Sequence, residues 1–555
     1  MKLLYAAVFA PFVPMAVHAQ ATTPPGAGAI LLQIQSVIPP TPAPSGTGLI
    51  IERQDDAKLP PSAPFLVKTI QIAGNTLFSA ATLHALVADA QGKSLTLSQL
   101  DELAARITGY YHSHDYPLAR AIIPAQTIQS GIVRIEIIEA RYGKISIDNR
   151  SRVNDPLLQA TISPLQSGQV IGQTELDRAL LLLSDIPGVI VAATLKPGET
   201  VGTSDLLVNT APGPAVSGNV VLDNYGNRFT GRARIGATLN VINPLRHGDI
   251  LTVSGLSSGA GMNYGRIGYE SLLNGRGTRL GGAYSALRYT LGEPLASLNA
   301  NGTARIQSLW AKHPLVRSRD VNLYGQIQYD RLQLRDHIDA SVIRNDRHLN
   351  NWTLSLAGDA RDAFLSNAVS SWNVGWTSGR VGFDDTAAQL ADAGSAKTQG
   401  NFSKLNVNLA RLQSLGPSNG LYLAFSSQWA NTNLDPSQKM SAGGPYTVRA
   451  YDTGAVSGDT GYLGSIELRH NLGAGWGGQL QAVAFVDRAR VTVNKNPWVA
   501  GTNSATLSGA GLGLNWTGPN QWSVRAHIAK PIDSSPGLVA GNASARAWIE
   551  IRKGF

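Results

Sequence analysis

Three clusters in this 555-residue chain have residue types and spacings that could support chemistry. Gly255-Leu-Ser-Ser-Gly259 fits the G-x-S-x-G pattern of serine hydrolases, which needs a strand–turn–helix elbow to expose the nucleophile. Here it joins two stretches of alternating polarity, so the better reading is a hairpin turn. His112-Ser-His-Asp115 offers metal-binding side chains, but it falls at a predicted helix end and no further His or Cys cluster completes a ligand set. It reads as helix capping. The third cluster is Gly443-Gly-Pro-Tyr-Thr-Val-Arg-Ala-Tyr451, a Gly-rich loop with one arginine between Val448 and Tyr451, ahead of a strand from Leu463 to Arg469. Its chemistry is ion pairing. If Leu480, Ala482, Ala484 and Val486 share an outward face, Phe485 and Asp487 face inward; the same parity turns Ile466 and Leu468 out and Glu467 and Arg469 in. An arginine at 449 folded inward then meets Asp487 or Glu467, and such a partly enclosed pair is geometrically specific. No phosphate-binding glycine loop is present. No catalytic residue, metal site or cofactor is expected.

The elements that must position this loop are legible from periodicity. Only 15% of residues are charged, against roughly 25% in an average soluble domain. There are 58 Gly, 29 Pro and no Cys, which excludes a disulfide scaffold, a thiolate zinc site and a cysteine nucleophile. The formal charge is +9, but no Lys/Arg run is long enough to read as a nucleic-acid arm. Met1-Lys2, the apolar stretch Leu3 to Val17 and the small-residue site before Gln20 predict a signal peptide over 1–19. Beyond it, no apolar run reaches the roughly 18 residues of a membrane-spanning helix. An exported chain without a helical anchor is free in the periplasm or medium, or is embedded as a β-barrel.

In the segment 20–38, residues 29–38 can form a short helix, either a docked plug or a free tail. A Pro-rich linker follows over 39–64. Residues 65–140 and 141–212 then read as two copies of one small α/β unit, sharing a Pro–strand–Pro–turn–strand order. In the first copy a helix starting at Thr96 carries Leu100, Leu103, Ile107 and Tyr111 on one face, with Ser98 and Glu102 one residue out of register for a capping box. In the second, a helix from Thr174 to Leu183 is expected with Thr174 as its N-cap. From 213 to 555 the period changes to two: Ala233–Val241, Val321–Asp330, Leu480–Asp487 and Ala545–Ile551 all alternate, and the chain ends on Phe555 in phase with the apolar face of its last strand. One apolar and one polar face repeated over such a length predicts a transmembrane antiparallel β-barrel.

These features together resemble the TpsB transporters of two-partner secretion, the haemolysin secretion/activation family, within the outer-membrane superfamily that joins POTRA domains to a barrel. The loop motif of that superfamily, Val-Arg-Gly-Tyr, stands here as Val448-Arg449-Ala450-Tyr451, and its Phe-x-Asp motif as Phe485-Val-Asp487. Asn243–Asp249, Tyr289–Leu295 and His313–Arg319 are also family-like. Ala450 departs from the usual glycine, so a positive φ there would be strained. The resemblance implies sixteen strands, two POTRA domains (65–140 and 141–212), a plug helix, and Arg449 anchored on Asp487 inside the lumen. It implies an outer-membrane pore that captures an unfolded exoprotein (TpsA-type, large and β-helical) in the periplasm and passes it outward without ATP. Implied partners are that exoprotein, outer-membrane lipids and the barrel-assembly machinery, with Phe555 as a C-terminal outer-membrane signal; no nucleic acid is implied. The alternatives are an insertase of the same superfamily and a passive porin or plugged nutrient receptor. Whether the cargo is a haemolysin, an adhesin or a contact-dependent toxin stays open, as does cargo activation.

Overall fold

The computed structural model describes residues 24–34, 43–46, 48–52, 62–128, 130–533, 536–539 and 545–555. The expected signal peptide over 1–19 lies outside these residues, as do 35–38 of the expected plug segment and parts of the linker.

The chain opens with helix α1 (Ala27–Ile34) and a short strand β1 (Leu49–Ile51). The first α/β domain contains β2 (Phe65–Leu66), β3 (Thr69–Ala73), α2 (Ala80–Ala85), β4 (Ser94–Leu95), α3 (Leu97–Ser113), β5 (Arg120–Ile122) and β6 (Ile132–Ile138). The sheet runs β3-β6-β5, and Leu100, Leu103, Ile107 and Tyr111 of α3 cover it from one side. The capping box at the start of α3 is Thr96 with Gln99, rather than the Ser98 and Glu102 pair. At the domain's end, Glu139 accepts from the amides of Thr76 and Leu77 at 2.7 and 2.9 Å and from the Tyr111 hydroxyl at 2.8 Å. Burial pushes this carboxyl up, but these hydrogen bonds outweigh burial and hold it below its ordinary value.

The second domain repeats the plan with β7 (Arg141–Asn149), α4 (Asp155–Ile162), α5 (Gln173–Ser184), β8 (Val189–Pro197) and β9 (Thr203–Pro212). Thr174 is not the N-cap of α5; Gly172 is, without a side-chain bond. Asp115 of the first domain takes that role instead. Its backbone carbonyl accepts from the Gln173 amide at 2.9 Å and its carboxylate from the Thr174 amide at 3.0 Å. The His112–Asp115 cluster is therefore structural: His112 meets the Ala119 carbonyl, His114 meets the Tyr110 carbonyl, and Asp115 joins the two domains. The sheet order is β1-β8-β9-β7, so β1 of the linker adds a parallel strand to this domain's edge.

Sixteen antiparallel strands then close a barrel. They are β10 (Val216–Asp223), β11 (Arg234–Ile242), β12 (Ile250–Ser257), β13 (Met262–Leu272), β14 (Arg279–Thr290), β15 (Ala300–Arg317), β16 (Val321–Ile338) and β17 (Ile343–Asp362). There follow β18 (Ala368–Phe383), α6 (Thr386–Ala393) in a loop, β19 (Gly400–Ser414) and β20 (Asn419–Ala430). A long loop carries the hairpin β21 (Met440–Ala442) and β22 (Val456–Gly458), and the wall resumes with β23 (Thr460–Gly475), β24 (Gly478–Thr492), β25 (Ser504–Thr517), β26 (Trp522–Pro531) and β27 (Arg546–Gly554). Alternation sets the two faces: Leu309, Leu354, Trp376, Ile466, Leu512 and Ile528 stand exposed outside. The seam joins β10 to β27 over Asn219–Asp223, and Phe555 extends it through a reciprocal backbone pair with Gly218, both bonds 3.0 Å. Gly255–Gly259 lies at the β12–β13 hairpin, with no helix after it.

Candidate functional site

The barrel lumen is filled by two elements, the N-terminal helix α1 and the long loop between β20 and β23. From one side, α1 lays Ala27, Ile30 and Leu31 against the inward residues Leu287, Leu332, Leu334, Leu349 and Phe402. Asp336 of β16 holds its first turn, accepting from the Ala27 amide at 2.6 Å and the Tyr289 hydroxyl at 2.8 Å. A carboxylate at a helix start meets amides that have no partner inside the helix. Arg347 balances this charge at 2.7 Å and also pairs with Asp435 of the long loop.

From the other side the loop between β20 and β23 folds inward. Gly443 takes φ +100°, and a Cβ on it would lie 2.4 Å from the Asp452 carbonyl oxygen, so the loop can turn this tightly only with glycine there. The turn delivers Arg449 to the wall, where it is 4% exposed. Its Nε and Nη2 donate to the two Asp487 oxygens at 2.9 and 2.7 Å, a bidentate pair. Nη1 donates to Glu467 at 2.7 Å and Nη2 also to the Ser465 hydroxyl at 3.1 Å. Its backbone amide donates to Asp487 at 3.1 Å, and its carbonyl accepts from the Trp548 indole at 2.7 Å. The guanidinium carbon lies 3.4 Å from the Phe485 ring centroid. Strand register explains the convergence: Ser465 is opposite Asp487, and Glu467 is opposite Phe485, on the same inward face of β23 and β24. Glu467 also accepts from Arg469 at 2.9 and 2.6 Å, so two carboxylates meet two guanidiniums.

The structure thus brings Arg449 to both of its possible partners. Val448, Ala450 and Tyr451 pack in the same apolar cluster as Phe485. The departure at Ala450 carries no strain, because Ala450 is not among the residues with positive φ. Its methyl fits over Gly509 of β25, where a Cβ would come within 2.4 Å of it. Sequence reasoning missed Ser465 and Trp548, although the parity that placed Glu467 also turns Ser465 inward. It also missed Asp452, paired with Arg232 at 3.0 Å and Arg546 at 2.7 Å, and the link from the plug to the loop region through Gln33 and Asn227 at 3.0 Å. Asp452, Arg232 and Asn227 sit on loops, where no period exists to place a side chain. Between plug, loop and outer rim lies a cavity of about 1110 Å³ lined by Gln33, Arg347, Tyr451 and Arg546.

A closed sixteen-stranded barrel, two α/β domains at one end and an arginine-anchored lumen loop define an outer-membrane β-barrel transporter with its α/β domains in the periplasm. Residues 202–516 match the family described as haemolysin secretion/activation protein ShlB/FhaC/HecB, and 65–140 match the ShlB-type POTRA domain. The chain belongs to the haemolysin secretion/activation protein ShlB/FhaC/HecB family, the transporters of two-partner secretion. It is 28% identical over 469 residues to the heme/hemopexin transporter protein HuxB of Haemophilus influenzae (strain 86-028NP), covering 84% of this chain and 82% of that one. It is 24% identical over 475 residues to the outer membrane transporter CdiB of Escherichia coli, covering 82% and 76%. The solved structure of CdiB from Escherichia coli superposes with a TM-score of 0.70 at 21% identity, covering 95% of each chain, which shows the shared fold. Family membership places the chain on the secretion branch rather than among the insertases or diffusion porins.

Proposed function

We propose that the two α/β domains (65–140 and 141–212, with the barrel from 213) capture an unfolded exoprotein of the large β-helical TpsA type in the periplasm. The barrel then passes it outward without catalysis and without ATP, with folding outside favouring one direction. Strand edges bind extended chain through backbone hydrogen bonds, so they recognise an unfolded cargo with few sequence demands. The observation that carries this reading is the doubly closed lumen. An apolar plug helix and a loop tied by Arg449 block a pore that a folded wall could otherwise leave open, and a gated pore of this kind suits a large occasional cargo better than free solute flow. Arg449, with Val448, Ala450 and Tyr451, anchors the loop on Asp487, Glu467 and Phe485, while α1 leaves the lumen during transport. Phe555, exposed on the outer face beside the seam, serves as the C-terminal signal read by the barrel-assembly machinery, and the apolar outer face meets membrane lipid.

Removal of residues 65–140 tests the capture step. Export of the partner protein is expected to stop while a heat-modifiable barrel still reaches the outer membrane. Undiminished export from that variant contradicts the reading.

A further inference from the structure

Arg317 ends β15 at the rim where the second α/β domain docks, and its side chain is 0% exposed. Its guanidinium has five N–H donors, and the surroundings use all of them. Nε and Nη2 donate to the two oxygens of Asp185, just past the end of α5, at 2.7 and 2.8 Å. Nη1 donates to Asn322 at 2.9 Å and to the Ser318 carbonyl at 3.2 Å. The second Nη2 hydrogen reaches the carbonyl of Pro44, in the linker behind the plug, at 2.8 Å. The neighbouring linker residue is held by the same network: Ala43 donates to Asp359 at 3.0 Å, and Asp359 accepts from Asn322 at 3.0 Å. Further along, β1 is paired to β8 of the second domain from Leu49 to Ile51.

Barrel rim, docked domain and plug linker therefore converge on one buried cation. Among the described residues, Asp185 is the carboxylate that forms an ion pair with it. If the second domain lifts from the rim, Arg317 loses its one charged direct partner together with part of its cover, and the bidentate geometry that aims its fork is lost. The guanidinium must then turn towards another charge or water, and a reoriented fork releases the Pro44 carbonyl. We infer that Arg317 is a positioning residue that couples the seating of the second domain to retention of the plug linker. Cargo that displaces the domain thereby frees the linker and lets α1 leave. This rests on the reading that α1 vacates the lumen.

The chain has no cysteine, so a single Ala27→Cys reporter on α1, at a fully buried position, is unique. In the full chain in proteoliposomes, reaction with a membrane-impermeant maleimide reports plug release. Asp185→Asn, which alters no linker or plug atom, is expected to raise the labelling rate by about fivefold or more, the lower range of a typical coupling. Arg317→Lys should do the same, since an ammonium cannot serve five acceptors. Asp177→Asn removes the neighbouring 2.6 Å contact of the same domain with Arg319 but leaves Arg317 paired with Asp185, so it should raise the rate less than Asp185→Asn does. A rate for Asp185→Asn equal to that of the parent, or an equal rise for Asp177→Asn, overturns the inference. In exporting cells, labelling of Ala27→Cys during export is expected; its absence overturns the plug reading itself.

Discussion

Arg449 makes hydrogen bonds to two carboxylates and a hydroxyl at once, in a site shielded from water by Phe485 and Trp548. Isolated buried charges are costly, so the arrangement is stable only as a whole. Arg449→Ala leaves Asp487 without its cation, while Glu467 retains Arg469. Breaking such a pair costs about 3–5 kcal/mol, enough to shift the equilibrium between a seated and an unseated loop more than about a hundredfold. That cost falls on the loop, because the strand ladder on either side does not use Arg449. We expect Arg449→Ala to abolish most export while heat modifiability of the barrel is retained, read by immunoblot of medium and outer-membrane fractions. Arg449→Lys should be intermediate, since it keeps the charge and loses the fork. Wild-type export from Arg449→Ala refutes the anchoring role.

At the scale of elements, α1 is a short segment that is not covalently part of the barrel wall. It contributes eight residues, with Ala27, Ile30 and Leu31 buried, and depends on Asp336 for its first turn. Burial of an Ile or Leu side chain stabilises by about 1.5–3 kcal/mol, so the helix is retained by a few contacts and can be released without disturbing the wall. Deleting residues 24–34 is expected to raise single-channel conductance in planar bilayers several-fold at unchanged barrel stability; unchanged conductance contradicts a plugging role. How far these elements were legible depends on their periodicity. The barrel was, because runs such as Val321–Asp330 and Ala545–Ile551 alternate and one face must meet lipid, although the count of sixteen strands came from the family resemblance and most strand limits were not placed. The face of α3 was, because Leu100, Leu103, Ile107 and Tyr111 keep helical spacing. The caps were not: Asp115 caps α5 across a domain boundary, a pairing decided by tertiary packing and invisible to local rules. The short helices α2 and α4 escaped for a related reason, since six and eight residues carry too little period to stand out from loops. The strand β1 inside the Pro-rich linker escaped because three residues gain their pairing only from the edge of β8.

On the scale of the whole molecule, the plug, loop and docked domain form one closed state held at a few points: Arg449 at the wall, Asp336 at the helix start and Arg317 at the rim. The apolar outer face keeps the barrel in the outer membrane, while the α/β domains stay in the periplasm, where cargo arrives. The central claim is that this closed state opens for a dedicated exported protein. The measurement that tests it most directly compares the culture-medium and outer-membrane proteomes of cells with and without this gene, under conditions in which the protein is made. The account predicts loss of one large protein from the medium, restored by the wild-type gene and not by Arg449→Ala, with other outer-membrane barrels unchanged. A general fall in barrel proteins, or an unchanged medium with the cargo gene shown to be expressed, would contradict it.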